Sequence, residues 1–387
     1  MQSFHWFEAK QLDRVTNFST ETEVIKAGNT NNIPIFYYCT YHKEKKDFGL
    51  SKNIIYLGFS SNRYIKAIEF HIYTILKMLQ IVLTKKRALI MVNPDLVFHS
   101  IIPLYISKFF NTNTKFIVDV RTTPVDPKTF ERDMKNFHKK FKFAVKNFDG
   151  LSFITPFMEK YILSKYNFRV KTVNWSSGVD IELFDPKKVL KIKNNDLKIK
   201  TFFYHGGISI SRGNLDLIKA CNRLINEGYK LRLIQIGIIV DKEIRNFVNN
   251  LENNDWCILR DAVPLELIPD EIASIDVPVL PFPNYDSWRV SSPIKLMEYL
   301  AMNKCVIAPK MEAFTDVFGN HSSLVLYYDA SISSNEENIY SALKKILIDN
   351  LQLMNSDDAP RNFVKQNYTW KIQANNLFNF CSNLWEK

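Results

Sequence analysis

Two segments of this 387-residue chain combine residue types and spacings that can do chemistry. In Phe203–Ala220, an apolar strand-like run meets Gly206-Gly207, then a short polar loop, then Arg212-Gly213 at the head of an amphipathic helix. Two glycines let a ligand approach the backbone closely, and a helix N-terminus offers N–H groups to an anion. An adjacent Arg adds a fork-shaped partner for phosphate. The plainer alternative is a tight strand–helix turn with a surface Arg. In Val290–Ala308, Ser-Ser-Pro is a helix start, because a Ser cap takes free N–H groups and Pro suits the first helical position. Ile294, Met297, Leu300 and Ala301 form the expected buried stripe, with Glu298 beside it. A carboxylate there can accept two ribose hydroxyls, whereas an isolated Glu is ordinarily solvated on the helix rim.

A third segment, 128–146, is a basic amphipathic helix. Phe130, Met134, Phe137, Phe141 and Val145 recur at three- and four-residue steps, and Lys135, Lys139, Lys140, Lys142 and Lys146 fill most of the rest. Such a helix can lie on an anionic membrane surface, or its stripe can pack on a sheet while the lysines are solvated. The charge distribution favours an anionic partner for the first half. Residues 1–200 hold 33 Lys/Arg and 18 Asp/Glu, whereas residues 201–387 hold 18 and 22. No aromatic–basic RNA motif or helix-turn-helix is visible, so nucleic acid is not the expected partner.

These residues need elements to position them. Strand-like runs alternate with helix-length segments almost throughout, the pattern of parallel α/β sheets. The expected strands are Ile33–Cys39, Ile54–Gly58, Ala88–Val92, Lys115–Val120, Gly150–Ile154 and Val170–Asn174, then Thr201–His205, Arg232–Ile236, Asp255–Leu259, Val277–Leu280, Cys305–Ala308 and Ser323–Tyr327. Between the halves, Asp185–Lys200 reads as a solvated connection. The N-terminus fits less well. Met1–Trp6 leaves no room for an opening strand plus a Gly turn, Phe4–Arg14 looks like the following helix, and the first strand is expected to be missing. Hydrophobic residues at 46% exclude a disordered chain. The longest nearly apolar stretch, Ile72–Leu83, is 12 residues, short of the ~20 that span a bilayer. The five dispersed Cys and the absence of a signal-like start give the expectation of a reduced, cytoplasmic protein, and the charge division with the basic helix at 128–146 adds that it is peripheral at the inner face of the cell membrane.

Taken together, the chain from about Lys115 to its end resembles the GT-B glycosyltransferases of family 4 (group 1). The resemblance rests on "GGISISRG" followed by "DLIKA", on "WCILRDAVPLELIPDEIASIDVPVLPF", and on "SSPIKLMEYLAMNKCVIAPKMEAFTDVF". It implies two Rossmann-like, doubly wound α/β domains facing a cleft: residues 1–180, completed by a returning C-terminal helix within 368–387, and residues 196–367. It implies that Gly206, Gly207 and Arg212 hold a donor diphosphate, that Glu298 holds the ribose, and that Val263 pairs with the base through its backbone. Lys295 would add a second positive charge, and Ser291 and Ser292 would line the donor sugar or phosphate site. "KFIVDVRTTP" resembles the strand ending in a cleft-facing Asp, which puts Asp119 and Arg121 at the catalytic position.

The function implied is metal-independent sugar transfer from a nucleotide-sugar substrate, with no cofactor, to a saccharide or lipid-linked acceptor in envelope or surface polysaccharide synthesis. Rivals are a sugar-nucleotide 2-epimerase, for which only His205 and Asp119 could be acid/base groups, and a non-catalytic GT-B-like subunit. The family often carries Glu-x7-Glu, but Val290 stands eight residues before Glu298.

Overall fold

A computed structural model of the chain describes residues 1–4, 16–40, 50, 52–124, 129–167, 169–189, 199–292, 294–318, 322–330, 334–349 and 358–386. It divides into two compact units, Met1–Gly178 with Trp370–Lys387, and Val179–Thr369.

The first unit is built on a parallel sheet of β1 (Gln2–Phe4), β2 (Phe36–Thr40), β3 (Ile54–Leu57), β4 (Ala88–Val92), β5 (Thr114–Val120), β6 (Gly150–Phe153) and β7 (Lys171–Asn174), in the order β3-β2-β1-β4-β5-β6-β7. Its helices are α1 (Thr16–Thr30), α2 (Arg63–Thr84), α3 (Ile101–Phe109), α4 (Phe130–Asn147) and α5 (Pro156–Leu163). β4 is buried along its whole length, as a strand covered by helices on both faces must be.

The first strand is present, contrary to the expectation that it is missing. β1 has three residues, pairing Gln2 with both Phe36 and Ile90, and it sits at the centre of the sheet. So short a strand carries no readable alternation; Ser3 and Phe4 are simply enclosed between β2 and β4. The helix expected over Phe4–Arg14 lies, past Phe4, outside the described residues.

Two helices bear on the membrane expectation, and in the first the stripe packs on the sheet. Lys128 lies outside the described residues, and from Phe130 onward the aromatic stripe of α4 is core: Met134, Phe137, Phe141, Ala144 and Val145 are buried. Phe137 stacks on Phe141 with centroids 5.5 Å apart, so these rings are not available to lipid. Lys135, Lys139, Lys142 and Lys146 are exposed, while Lys140 pairs with Asp95 at 2.8 Å. Secondly, α2 is a 22-residue helix long and apolar enough to cross a membrane by length and composition. The 12-residue stretch Ile72–Leu83 missed it because the count stops at His71, before which Ile65, Ala67, Ile68 and Phe70 continue the helix. Its inner face (Phe70, Thr74, Met78, Ile81, Val82) is buried against the unit, so here it lies along the sheet.

The second unit contains β8 (Lys200–His205), β9 (Leu231–Ile236), β10 (Cys257–Arg260) and β11 (Val277–Pro278) in the order β10-β9-β8-β11. A bridge from Val279 to Ile307 continues this sheet into the parallel pair β12 (Val306–Pro309) and β13 (Val325–Tyr328). Around them are α6 (Asn214–Asn226), α7 (Lys242–Asn249), α8 (Ile268–Ala273), α9 (Asp286–Arg289), α10 (Ile294–Ala301), α11 (Glu312–Phe318), α12 (Asn335–Ile348) and α13 (Ala359–Asn367). The last helix, α14 (Trp370–Asn383), returns to the first unit, where Ala374, Leu377 and Phe378 share a core with Tyr37, Met91 and Trp175.

Both strand orders run outward from a first strand flanked by the second and the fourth, as in doubly wound nucleotide-binding sheets. Ligands in such sheets sit beyond the carboxyl ends of the strands where the order reverses. In the second unit that point lies between β8 and β11. It is where Gly206 and Gly207 follow His205.

Candidate donor site at the end of the eighth strand

The turn after β8 is braced by the turn after β9. The Gly206 N–H donates to Ile236 O and the Ile208 N–H to Ile238 O, both at 2.8 Å, and Val240 N–H returns a bond to Ile208 O. Gly206 has φ +112°, and a Cβ there would overlap the Lys295 side chain, within 2.9 Å of Nζ. Gly237 fits directly beneath, where a Cβ would collide with the Gly206 carbonyl. Two backbones and a lysine can therefore share this point only because both residues lack side chains.

The amides are unequally engaged. Those of Arg212, Gly213 and Asn214 close onto the carbonyls of Ser209 and Ile210. With Gly206 and Ile208 also committed, the Gly207 N–H is the one in the turn 206–208 without a partner among the described residues. Arg212 stands over it: its guanidinium carbon would be 3.5 Å from a Cβ at Gly207. The guanidinium also lies 5.5 Å from the Trp288 ring, whose indole N–H donates to Ser211 O at 2.8 Å. Lys295 Nζ lies 5.6 Å from the Tyr204 ring, and the Tyr204 hydroxyl donates to Gly207 O at 3.0 Å. Burial pushes the Lys295 ammonium down to about 7; Arg212 acts in the same direction and Glu298 opposes. One amide and two cations thus converge on the turn. That is a site for an anion with several oxygens.

Glu298 is not solvated. Residues Leu296–Ala301 of α10 are all buried, and Glu298 Oε2 lies 2.7 Å from His205 Nε2. The Tyr299 hydroxyl is 2.9 Å from His205 Nδ1 and accepts from the His205 backbone N–H at 3.2 Å. His205 is thus held at both ring nitrogens, by Glu298 on one side and Tyr299 on the other. This chain holds the carboxylate in one orientation and leaves its other oxygen available for hydroxyl donors.

The other residues expected on the donor side are placed more loosely. Val263 lies on the stretch after β10 with its side chain packed on the core that includes Leu296 and Leu300. The Ser291 hydroxyl donates to Trp288 O at 2.8 Å, which ties it to α9, and Ser292 is buried. Pro293 is outside the described residues. Val290 is buried at the end of α9 and supplies no carboxylate.

Asp119 and Arg121 form a different environment, inside the first unit. Asp119 is fully buried; Ser152 Oγ and Trp175 Nε1 donate to its Oδ1, the latter at 3.0 Å. Asp119 and Arg121, expected at the catalytic position, are thus both buried within the first unit. Arg121 lies flat on the Trp175 ring at 3.8 Å and donates to Trp175 O at 2.6 Å. Burial raises the Asp119 carboxyl against the opposing charge of Arg121. Burial and then Asp119 push the nearby Glu21 up to about 8. The two proposed epimerase groups are likewise occupied, His205 on Glu298 and Asp119 on Ser152 and Trp175.

Sequence reasoning missed Trp288, Tyr299 and Gly237. Nothing local marks Trp288 or Tyr299, because their partners are 77 and 94 residues away. Gly237 could have been suspected, as a lone Gly directly after the strand neighbouring the Gly-Gly turn. Among the described residues, no group of three His, Cys, Asp or Glu could hold a metal ion.

This architecture, two doubly wound parallel α/β units with a C-terminal helix returning to the first, is the GT-B fold. A glycosyltransferase of Rickettsia africae superposes with TM-score 0.68 at 14% identity, covering 100% of this chain and 98% of that one. Sucrose-phosphate synthase of Thermosynechococcus elongatus gives 0.74 at 14%, covering 99% and 98%. HepE of Anabaena, in complex with UDP, gives 0.71 at 11%, covering 99% of each. No curated protein matches the chain by sequence. The family model described as glycosyl transferases group 1 matches residues 199–349, which lie within the second unit.

Proposed function

We propose that the protein transfers a sugar from a nucleotide-diphosphate sugar to an acceptor, with the donor held at the end of β8. The observation that supports this most is the convergence of the Gly207 N–H, Arg212 and Lys295 on one turn. As the bond to the sugar breaks, negative charge grows on the leaving diphosphate. Groups already aimed at that position stabilise it without reorganising, as an oxyanion hole does. In this reading Glu298, steadied by His205, accepts the ribose hydroxyls, Val263 meets the base through its backbone, and Ser291 and Ser292 border the donor sugar.

A uridine nucleotide is the first donor to try, since Anabaena HepE was solved with UDP. The acceptor in this reading is a saccharide or lipid-linked sugar of the cell surface. A lipopolysaccharide outer core galactosyltransferase shares the fold at TM-score 0.68 and 12% identity. The test is a thermal-shift and hydrolysis screen against UDP-, GDP- and ADP-sugars. The reading requires one base to stabilise the chain and release its nucleoside diphosphate. No response to any of the three would overturn it.

A further inference from the structure

We propose that the outward face of α2, with α3 beside it, is the surface by which this protein lies on an anionic lipid bilayer. The inference goes beyond sugar transfer and does not depend on it. α2 is apolar on both sides. Its inner face is core, yet Ile65, Ile68, Ile72, Leu76 and Leu83 recur at helical spacing on the outer face and are each more than half exposed. On α3 and the turn that follows, Ile102, Tyr105, Phe109 and Phe110 are exposed as well, with Phe109 at 83%. Soluble monomers rarely leave so continuous an apolar surface uncovered.

The charge around this surface identifies what covers it. Residues 52–115 hold nine Lys/Arg and two acids. Ala88 and Thr114 are paired in the parallel sheet, so the segments entering these strands lie at one edge. That edge carries exposed Lys85, Lys86 and Arg87 after α2, and Lys108 beside Phe109 and Phe110 at the end of α3. A basic rim beside an apolar and aromatic face is the signature of a helix lying in a membrane interface. The crossovers β3 to β4, β4 to β5 and β5 to β6 all advance the same way across the sheet. Right-handed connections therefore put α2, α3 and α4 on one face. The exposed lysines of α4 add to the same field, while its aromatics stay in the core. A second copy of the chain fits this surface poorly, because a two-fold contact over it would bring two basic rims together.

The test uses the full chain in flotation with vesicles of phosphatidylcholine and phosphatidylglycerol (3:1) and of phosphatidylcholine alone. Wild type should float with the mixed vesicles and lose that binding at high salt. The triple variant Ile68→Asn, Ile72→Asn, Leu76→Asn should float at least tenfold less while keeping a cooperative thermal transition, because these side chains are each more than half exposed. As a check independent of that variant, Leu76→Trp should shift its emission to the blue on mixed vesicles and be quenched by brominated lipid. The proposal is overturned if wild type stays in the soluble fraction, if the triple variant floats as wild type does, or if the introduced indole is not quenched. It is also overturned if wild type is a dimer that the triple variant converts to monomer, since the face then covers a second copy.

Discussion

Donor binding should take up a proton, and the amount follows from Lys295. Burial, reinforced by Arg212, lowers its ammonium to about 7. An incoming diphosphate would reverse this by supplying two negative charges beside it, so the bound form carries the full ammonium. The sign follows from linkage: the complex binds more protons than the free protein, so affinity falls as pH rises through the free value. With a free pKa of about 7, the competent fraction is about 90% at pH 6 and about 9% at pH 8. Affinity should therefore drop roughly tenfold over that range, or ~1.4 kcal/mol. The probe is the nucleotide sugar selected by the screen, whose diester phosphates do not titrate there. Calorimetry in two buffers of different ionisation enthalpy reads the uptake directly, about 0.9 proton at pH 8. Lys295→Met should abolish the uptake and flatten the profile. A wild-type affinity that is constant from pH 6 to 8, with no proton taken up, would refute the reasoning.

Three other perturbations probe the same frame. Gly237→Ala should destabilise the protein by at least about 3 kcal/mol, since its Cβ meets the Gly206 carbonyl, whereas Gly228→Ala, at φ +89° with open space around it, should cost only about 1–2 kcal/mol; equal losses by chemical denaturation would refute the packed-turn account. Glu21 has a carboxyl raised to about 8, so its charging penalises the folded state progressively as pH rises from about 4.5 to about 8. Glu21→Gln should then stabilise by about 3 kcal/mol at pH 7 and little at pH 4.5, and a Tm gain that does not grow with pH would contradict that environment. Glu298→Gln should narrow the preference for a normal donor over its 2′,3′-dideoxy analogue, measured by competition binding; an unchanged ratio would make Glu298 a partner of His205 and nothing more.

The sequence makes legible what local pattern encodes. The strand Ala88–Val92 is read at its observed limits, because an unbroken apolar run marks it. The Gly-Gly turn and Arg212 are equally visible, since a strand, two glycines and an amphipathic helix are consecutive. Long-range pairing is not legible. β1 is a strand only because Phe36–Tyr38 and Ile90–Val92 flank it. The burial of Glu298 depends on His205, 93 residues away, and that of Asp119 on Trp175, 56 residues away. Periodicity also misleads where a helix is apolar twice over. In α4 the stripe that suggests a membrane is core, and in α2 the second stripe escapes a reading that counts runs.

The most direct test of the central claim is calorimetric titration of the full chain with the selected nucleotide sugar, its nucleoside diphosphate and the free nucleoside, repeated on Arg212→Ala. The account predicts that both diphosphates lose about 1.5–3 kcal/mol of binding free energy, the range of a charged hydrogen bond, while the nucleoside is unaffected. Equal losses for diphosphate and nucleoside, or no loss at all, would contradict a phosphate site at the end of β8.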